Sequence, residues 1–189
     1  EYIDGTAGFK SAHEVTVDGD RTVSGKNILI ATGSRSREIP GFEFDGKKVL
    51  SSRDILGIKT LPKKLVILGA GAIGMEFAYV MNAFGVEVTV VEMLDQILPL
   101  EDADAVDVIG KAFKRYGITT LTGTKAKSLN KSGKGIKVTV EDREGKEETL
   151  SADMILVAVG RAPNTEGIGL EDIGVSTERG FITVGDYYQ

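Results

Sequence analysis

The sequence predicts an α/β fold, a Rossmann-like parallel sheet with an inserted three-stranded antiparallel meander, accompanied by strands of a further domain. Three observations predict it. The segment KKLVILGAGAIGMEFAYV, from Lys63 to Val80, passes from an apolar run through three glycines into a helix of small and apolar residues. Strand-like and helix-like segments alternate from Leu65 to Leu121, the grammar of a parallel sheet wound with helices. Finally, ADMILVAVG returns to an unbroken apolar run after a polar-alternating stretch, as a strand buried on both faces does.

Taken in order, the chain to about Gly41 alternates short strand-like runs with turns. EVTVDGDRTVSGKNILIATGS holds two β-rich segments around an Asp-Gly-Asp turn, then NILIATG as an apolar strand. The Gly-, Pro- and charge-rich connection that follows carries one short helix near Ser52 to Ile58, capped by Ser51 or Ser52. Leu65–Leu68 is a strand, Ala72 to Phe84 a helix and Val86–Val91 a second strand. Ala103 to Tyr116 is a helix, because Val106, Ile109, Ala112 and Phe113 recur at helical spacing. Ile118–Leu121 is a third strand. KAKSLNKSGKGIKVTVEDREGKEETL then reads as three polar-alternating strands with one face in water, its EDREGKEE portion a solvated hairpin turn. The tail is turn-rich and ends in a strand at Phe181–Val184. The whole implies a doubly wound domain over roughly residues 60 to 160, with the meander as an inserted crossover.

Composition narrows the function. Acids outnumber bases 28 to 23 and are scattered, which argues against nucleic-acid or anionic-membrane partners. No apolar run reaches the roughly 18 residues of a membrane span, and EYIDGTAGFK lacks a signal-peptide pattern. The chain has no cysteine and a single histidine, His13, which reads as a solvent-facing residue. Disulfides, thiolate metal sites and thiol nucleophiles are thereby excluded within these residues, and chemistry must rest on a cofactor or on carboxylates. EDADAVD, from Glu101 to Asp107, reads as acids stabilised by a helix dipole, with no metal expected.

Gly69, Gly71 and Gly74 form G-x-G-x-x-G between a strand and a helix. In a dinucleotide site the first glycine permits the turn, the second lets backbone approach a pyrophosphate, and the third lets helix and strand pack closely. The helix N-terminus offers unpaired amides and partial positive charge to the phosphates. The second strand ends in Glu92, 23 positions after Gly69, near the spacing of an acid that binds ribose hydroxyls. Such a carboxylate repels a 2′-phosphate, and the following MLDQIL supplies no Arg or Lys to welcome one, so the expectation is NAD(H) over NADP(H).

ILIATGSRSREIPG, LVILGAGAIGMEFAYVMNAFGVEVTVVEMLDQILP and MILVAVGRAPNT resemble three successive landmarks of the pyridine nucleotide-disulfide oxidoreductases. Within that family they look like the dihydrolipoamide dehydrogenases. The resemblance implies a FAD domain interrupted by an NAD domain. Residues 1–60 would belong to the first FAD-domain segment and connection, 61–165 to the NAD domain, and 166–189 to the return. It implies NAD contacts from Gly69, Ala70, Gly71, Ala72, Ile73 and Gly74, from Glu92, from Ala126 beside the adenine, and from Ala158, Val159, Gly160 and Arg161 along the nicotinamide end. FAD would touch Ala7, Thr32, Gly33 and Ser34. Glu76 would lend support on the flavin side through a lysine that is not present here. Alanine at position 72, often a larger gating residue in the family, would leave the nicotinamide pocket more open.

The redox Cys pair, the His-Glu acid-base pair and the dimer interface of such enzymes have no counterpart here. The expectation is therefore a fragment centred on the NAD domain and inactive alone. In the intact enzyme dihydrolipoamide would be oxidised and NAD+ reduced through FAD, with the lipoyl domain of 2-oxo acid dehydrogenase complexes as partner. A homodimer in the cytoplasm, or in the mitochondrial matrix of a eukaryote, would be expected. Other readings are an NADH oxidase, a mercuric or glutathione-type reductase, and a non-catalytic NAD-binding module.

Overall fold

A computed structural model describes residues 1–133 and 135–189. In chain order the elements are β1 (Ala7–Ser11), β2 (Glu14–Val17), β3 (Arg21–Ser24), β4 (Ser34–Ser36), β5 (Val49–Leu50), α1 (Ser52–Leu56), β6 (Lys64–Leu68), α2 (Ala72–Ala83), β7 (Glu87–Val91), α3 (Ala103–Arg115) and β8 (Thr119–Leu121). There follow β9 (Lys125–Asn130), β10 (Ile136–Glu141), β11 (Glu147–Ala152), β12 (Met154–Val157), β13 (Arg161–Pro163), β14 (Thr177–Glu178) and β15 (Phe181–Ile182). They form two compact units, residues 1–35 with 161–189, and residues 36–160.

In the larger unit the sheet runs β5-β12-β6-β7-β8, every neighbouring pair parallel. The period of two along each strand divides its side chains between two cores. Leu65, Ile67, Val88, Val90 and Leu156 face one side, where Met75, Ala78 and Met81 of α2 and Val106 and Phe113 of α3 cover them. Val66, Leu68, Val91, Ile155 and Val157 face the other, against Ile136, Val138 and Val140 of β10. The domain is thus three layers, helices on a parallel sheet on an antiparallel meander of order β11-β10-β9. A doubly wound sheet would have helices on both faces; here the meander closes the second face, because β10 turns its alternate apolar residues onto the sheet.

Local chemistry explains the element ends. Ser51 caps α1 in a capping box with Asp54. Gly85 and Gly117, both at positive φ, follow the caps of α2 and α3, and the amides of Val86 and Ile118 reach back to the Met81 and Phe113 carbonyls. Asp102 caps α3, with Lys114 and Arg115 in its last turn, an arrangement favoured by the helix dipole. Strand β5, in the glycine-rich connection, has only two residues. It pairs Val49 and Leu50 with Ile155 and Leu156, which places the connection within the larger unit.

The smaller unit contains the antiparallel sheet β1-β2-β3, the pair β13-β4 and the hairpin β14-β15. One sequence expectation fails there. NILIATG is not a strand, and Leu29 is 88% exposed. Apolar residues make a strand only where a neighbour completes the hydrogen-bond ladder, and among the described residues none does. The expected Phe181–Val184 strand is shorter, Phe181–Ile182.

Asp45 fastens the connection to the meander. Its Oδ1 accepts from the amides of Lys47, Lys48 and Val49, and Lys131 of the β9–β10 turn donates to Oδ2 at 3.0 Å. Partial burial opposes ionisation, yet these donors outweigh it and hold the carboxyl well below its ordinary pKa. With the folded value depressed, this stabilisation is complete above the unfolded pKa, near 3.8, and is lost as pH falls through the folded one. Asp45→Ala should therefore destabilise the domain by about 1–3 kcal/mol at neutral pH. In urea titrations the gap from the parent should narrow as the pH is lowered beneath about 4.

Candidate functional site: the glycine turn at the carboxyl edge of the parallel sheet

Because β6, β7, β8 and β12 are parallel, their carboxyl ends share one edge. The chain leaves β6 toward β7 on one side, while β12 lies on the other. In open α/β sheets the crevice at such a change of direction is where ligands bind.

Gly69 opens the turn at φ +98°, a conformation that L-residues rarely adopt. A Cβ on it would lie 2.5 Å from the Ala158 carbonyl oxygen, so the ends of β6 and β12 meet only because it has none. Ala70 is wholly buried, and both its backbone groups are engaged. Its amide donates to Glu92 Oε2 at 2.7 Å, and its carbonyl accepts from the Leu98 amide at 2.7 Å. Gly71 is the N-cap of α2, without a side-chain cap and with no acid in the first turn. Nothing lies within 4 Å of where its Cβ would be. Gly74 is buried, and a Cβ there would run into the Gly69 carbonyl oxygen. Ala72 is exposed and Ile73 half-buried. The turn is thus locked on its inner side, at Gly69, Ala70 and Gly74, and open on its outer side, at Gly71. An uncapped helix entrance with open space before it suits an anion.

Glu92 is more deeply set than a surface acid at a strand end. It is 9% exposed, and Oε1 accepts from the Leu94 amide at 2.8 Å while Oε2 holds Ala70. Its amide donates to the Leu121 carbonyl, and its carbonyl accepts from the amide of buried Thr124. The carboxylate therefore binds the glycine turn to the end of β7, and each oxygen retains acceptor capacity for a further donor.

Ala126 follows two residues after Thr124, half-buried on β9 opposite Val140. Ala158 and Val159 are half-buried past the end of β12, and Gly160 is exposed at φ +113°. The structure thus brings Gly69, Ala70, Gly71, Gly74, Glu92 and Ala158 together on one edge. Glu76 is exposed on α2, and no ion pair engages it among the described residues. Leu98, at φ +46°, Leu94 and Thr124 also fix the site. They were missed because their part is played by backbone groups, which carry no sequence signal.

Arg161, expected along the nicotinamide, belongs to the smaller unit and has a structural partner there. Its guanidinium donates to Ser34 Oγ at 2.7 Å and to the Ser34 carbonyl. Asn164 donates from its amide to the Gly33 carbonyl and from Nδ2 to the Thr32 carbonyl. Arg35 grips Glu166 with both terminal nitrogens; that hydrogen-bonded pair lowers the Glu166 carboxyl to about 2 and raises the guanidinium. The 32–34 segment is thereby shaped by its own chain, while Ala7, Thr32, Gly33 and Ser34 all remain exposed. His13 is exposed as well.

The sequence pattern of the pyridine nucleotide-disulphide oxidoreductase family matches residues 2–189. The chain belongs to this family. A dihydrolipoamide dehydrogenase of Chaetomium thermophilum is 46% identical over 196 residues, covering 100% of this chain and 39% of that protein. A dihydrolipoyl dehydrogenase of Mycobacterium tuberculosis is 44% identical over 190 residues, covering 98% and 40% respectively. Among solved structures, the HOCl-induced flavoprotein disulfide reductase RclA from Escherichia coli superposes with a TM-score of 0.83 at 32% identity, over 97% of this chain and 41% of that one. LpdA from Mycobacterium tuberculosis gives 0.78 at 34% identity, over 97% and 40%. The chain spans about two fifths of the length of the relatives it matches. Among the described residues, no helix is long and apolar enough to cross a membrane.

Two substitutions test the inner lock without any ligand. Gly74→Ala should destabilise the domain by about 2–3 kcal/mol, because the new methyl meets backbone. Glu92→Gln should cost about 1–3 kcal/mol, since its NH2 group must confront one of two amide donors. Denaturant unfolding of each variant against the parent measures both.

Proposed function

We propose that this chain carries the NAD-binding part of a flavin-dependent dihydrolipoamide dehydrogenase, which oxidises dihydrolipoamide and reduces NAD+ through FAD and a redox disulfide. The observation behind it is the uncapped entrance of α2 at Gly71, with open space where a Cβ would be, beside the buried carboxylate of Glu92. The pyrophosphate would rest against the first amides of α2, with Ala72 and Ile73 flanking it. The remaining acceptor capacity of Glu92 would take the adenosine ribose hydroxyls, and its charge would repel a 2′-phosphate. Ala126 would lie beside the adenine, and Ala158, Val159 and Gly160 along the nicotinamide end. The small residue at 72 leaves that end unobstructed.

NAD+, when bound, supplies the hydride-accepting carbon; the protein orients it and keeps its charge partners fixed. Arg161 would act through Ser34, holding the 32–34 segment in shape. That segment and Ala7 would touch FAD, whose remaining contacts must come from residues outside these 189, since four exposed positions do not enclose a flavin. Glu76, exposed on α2, would face the flavin side. The chain has no cysteine, so the disulfide too must be supplied from elsewhere in the protein. The lipoyl domain of a 2-oxo acid dehydrogenase complex as partner, a homodimer, and a cytoplasmic or mitochondrial-matrix location belong to the same proposal; one relative, from Pisum sativum, is named as mitochondrial. The structural likeness to RclA favours another flavoprotein disulfide reductase as the second reading.

Gly71→Val provides the test. The space around this residue and its φ of −71° admit a side chain, so the unliganded fold should hold, losing only the N-cap preference for glycine, about 1 kcal/mol. NADH affinity, measured by calorimetry on the full-length protein, should fall by about tenfold or more. Unchanged affinity would overturn the site. Dihydrolipoamide-dependent NADH formation by the full-length protein separates this reading from other disulfide reductases.

A further inference from the structure

Sequence alone shows no base near the end of β7, where an arginine or lysine would welcome a 2′-phosphate. The fold supplies one from fifty positions away. Arg143 sits in the turn between β10 and β11, and its terminal guanidinium nitrogen pairs with Asp95, three residues past Glu92. Its side chain lies across Gly123, where a Cβ would meet the guanidinium Nε, so the absence of a side chain at 123 is what gives the arginine its path. The floor beneath is fixed. The Gly123 amide donates to the Leu94 carbonyl, the Thr124 amide donates to the Glu92 carbonyl, and the Leu94 amide donates to the Glu92 carboxylate. The β9–β10 pairing ends with Glu141 opposite Lys125, which holds the Arg143 turn over the same loops.

We propose that the Asp95–Arg143 pair is a specificity determinant at the adenosine end, Asp95 keeping a guanidinium there from serving a 2′-phosphate. The proposal rests on the dinucleotide reading of the glycine turn. Glu92 and Asp95 together would present two negative charges to a 2′-phosphate, while the Arg143 guanidinium is engaged by Asp95. Both partners are largely exposed, with side chains 59% and 76% accessible, so the pair is a weak surface ion pair that one substitution opens. An arginine released from its carboxylate is a strong phosphate ligand, because its planar fork matches phosphate oxygens.

The experiment measures the affinities of NADH and NADPH for the full-length protein and its Asp95→Asn and Asp95→Asn/Arg143→Gln variants. The parent should prefer NADH. Asp95→Asn should tighten NADPH relative to NADH by about tenfold, and adding Arg143→Gln should abolish most of that gain. A single variant no better for NADPH than the parent would overturn the proposal. So would an equal gain in the double variant, since loss of negative charge would then explain everything without the arginine. A parent that binds no NADH would overturn the dinucleotide reading itself, and this inference with it.

Discussion

The Glu92 carboxylate is the hub on which the site is built. It is buried at the end of β7 and accepts hydrogen bonds from Ala70, in the glycine turn after β6, and from Leu94, in the loop after β7. A charge at such depth persists only where donors compensate it. Here the donors are backbone amides, whose positions the parallel ladder already dictates. Two strand ends and two loops are thereby set relative to one another by the protein alone, with the Ala70 carbonyl further engaged by Leu98. What the turn leaves unsatisfied lies on its outer side, at the start of α2.

This division of labour makes the three glycines physically unequal. Gly69 and Gly74 are demanded by close packing against backbone, at Ala158 and at Gly69 respectively. Gly71 meets no such packing demand in the unliganded protein, since nothing lies within 4 Å of where its Cβ would be. A glycine in open space at an uncapped helix start leaves the backbone accessible to close approach from outside. The three-layer arrangement supports it from behind, since helices cover one face of the sheet and the meander the other, leaving the strand edge free.

The same fold reaches the Glu92 edge of the sheet by a second route. The β10–β11 hairpin reads in sequence as a solvated turn, and by composition it is one. Packing of β10 on the sheet carries its tip to the Glu92–Asp95 loop, where Arg143 meets Asp95. An argument about coenzyme selectivity based only on the residues that follow Glu92 therefore lacks a base that the tertiary structure provides.

The sequence by itself determined the order of strands and helices from Lys64 to Val157, the glycine turn and its acid, the meander, and the family. The family rests on the resemblance of three segments; the others are local patterns whose period or spacing has one physical cause. Only the tertiary structure decided the rest. NILIATG stays unpaired because a strand needs a neighbour, and Val49–Leu50 is a strand because β12 offers one. Arg161 is drawn to Ser34, and Glu92 is as much a clasp for Ala70 and Leu94 as an open acid. These outcomes turn on backbone donors and acceptors, which every residue shares and no side-chain pattern records, so they exist only once the chain has folded.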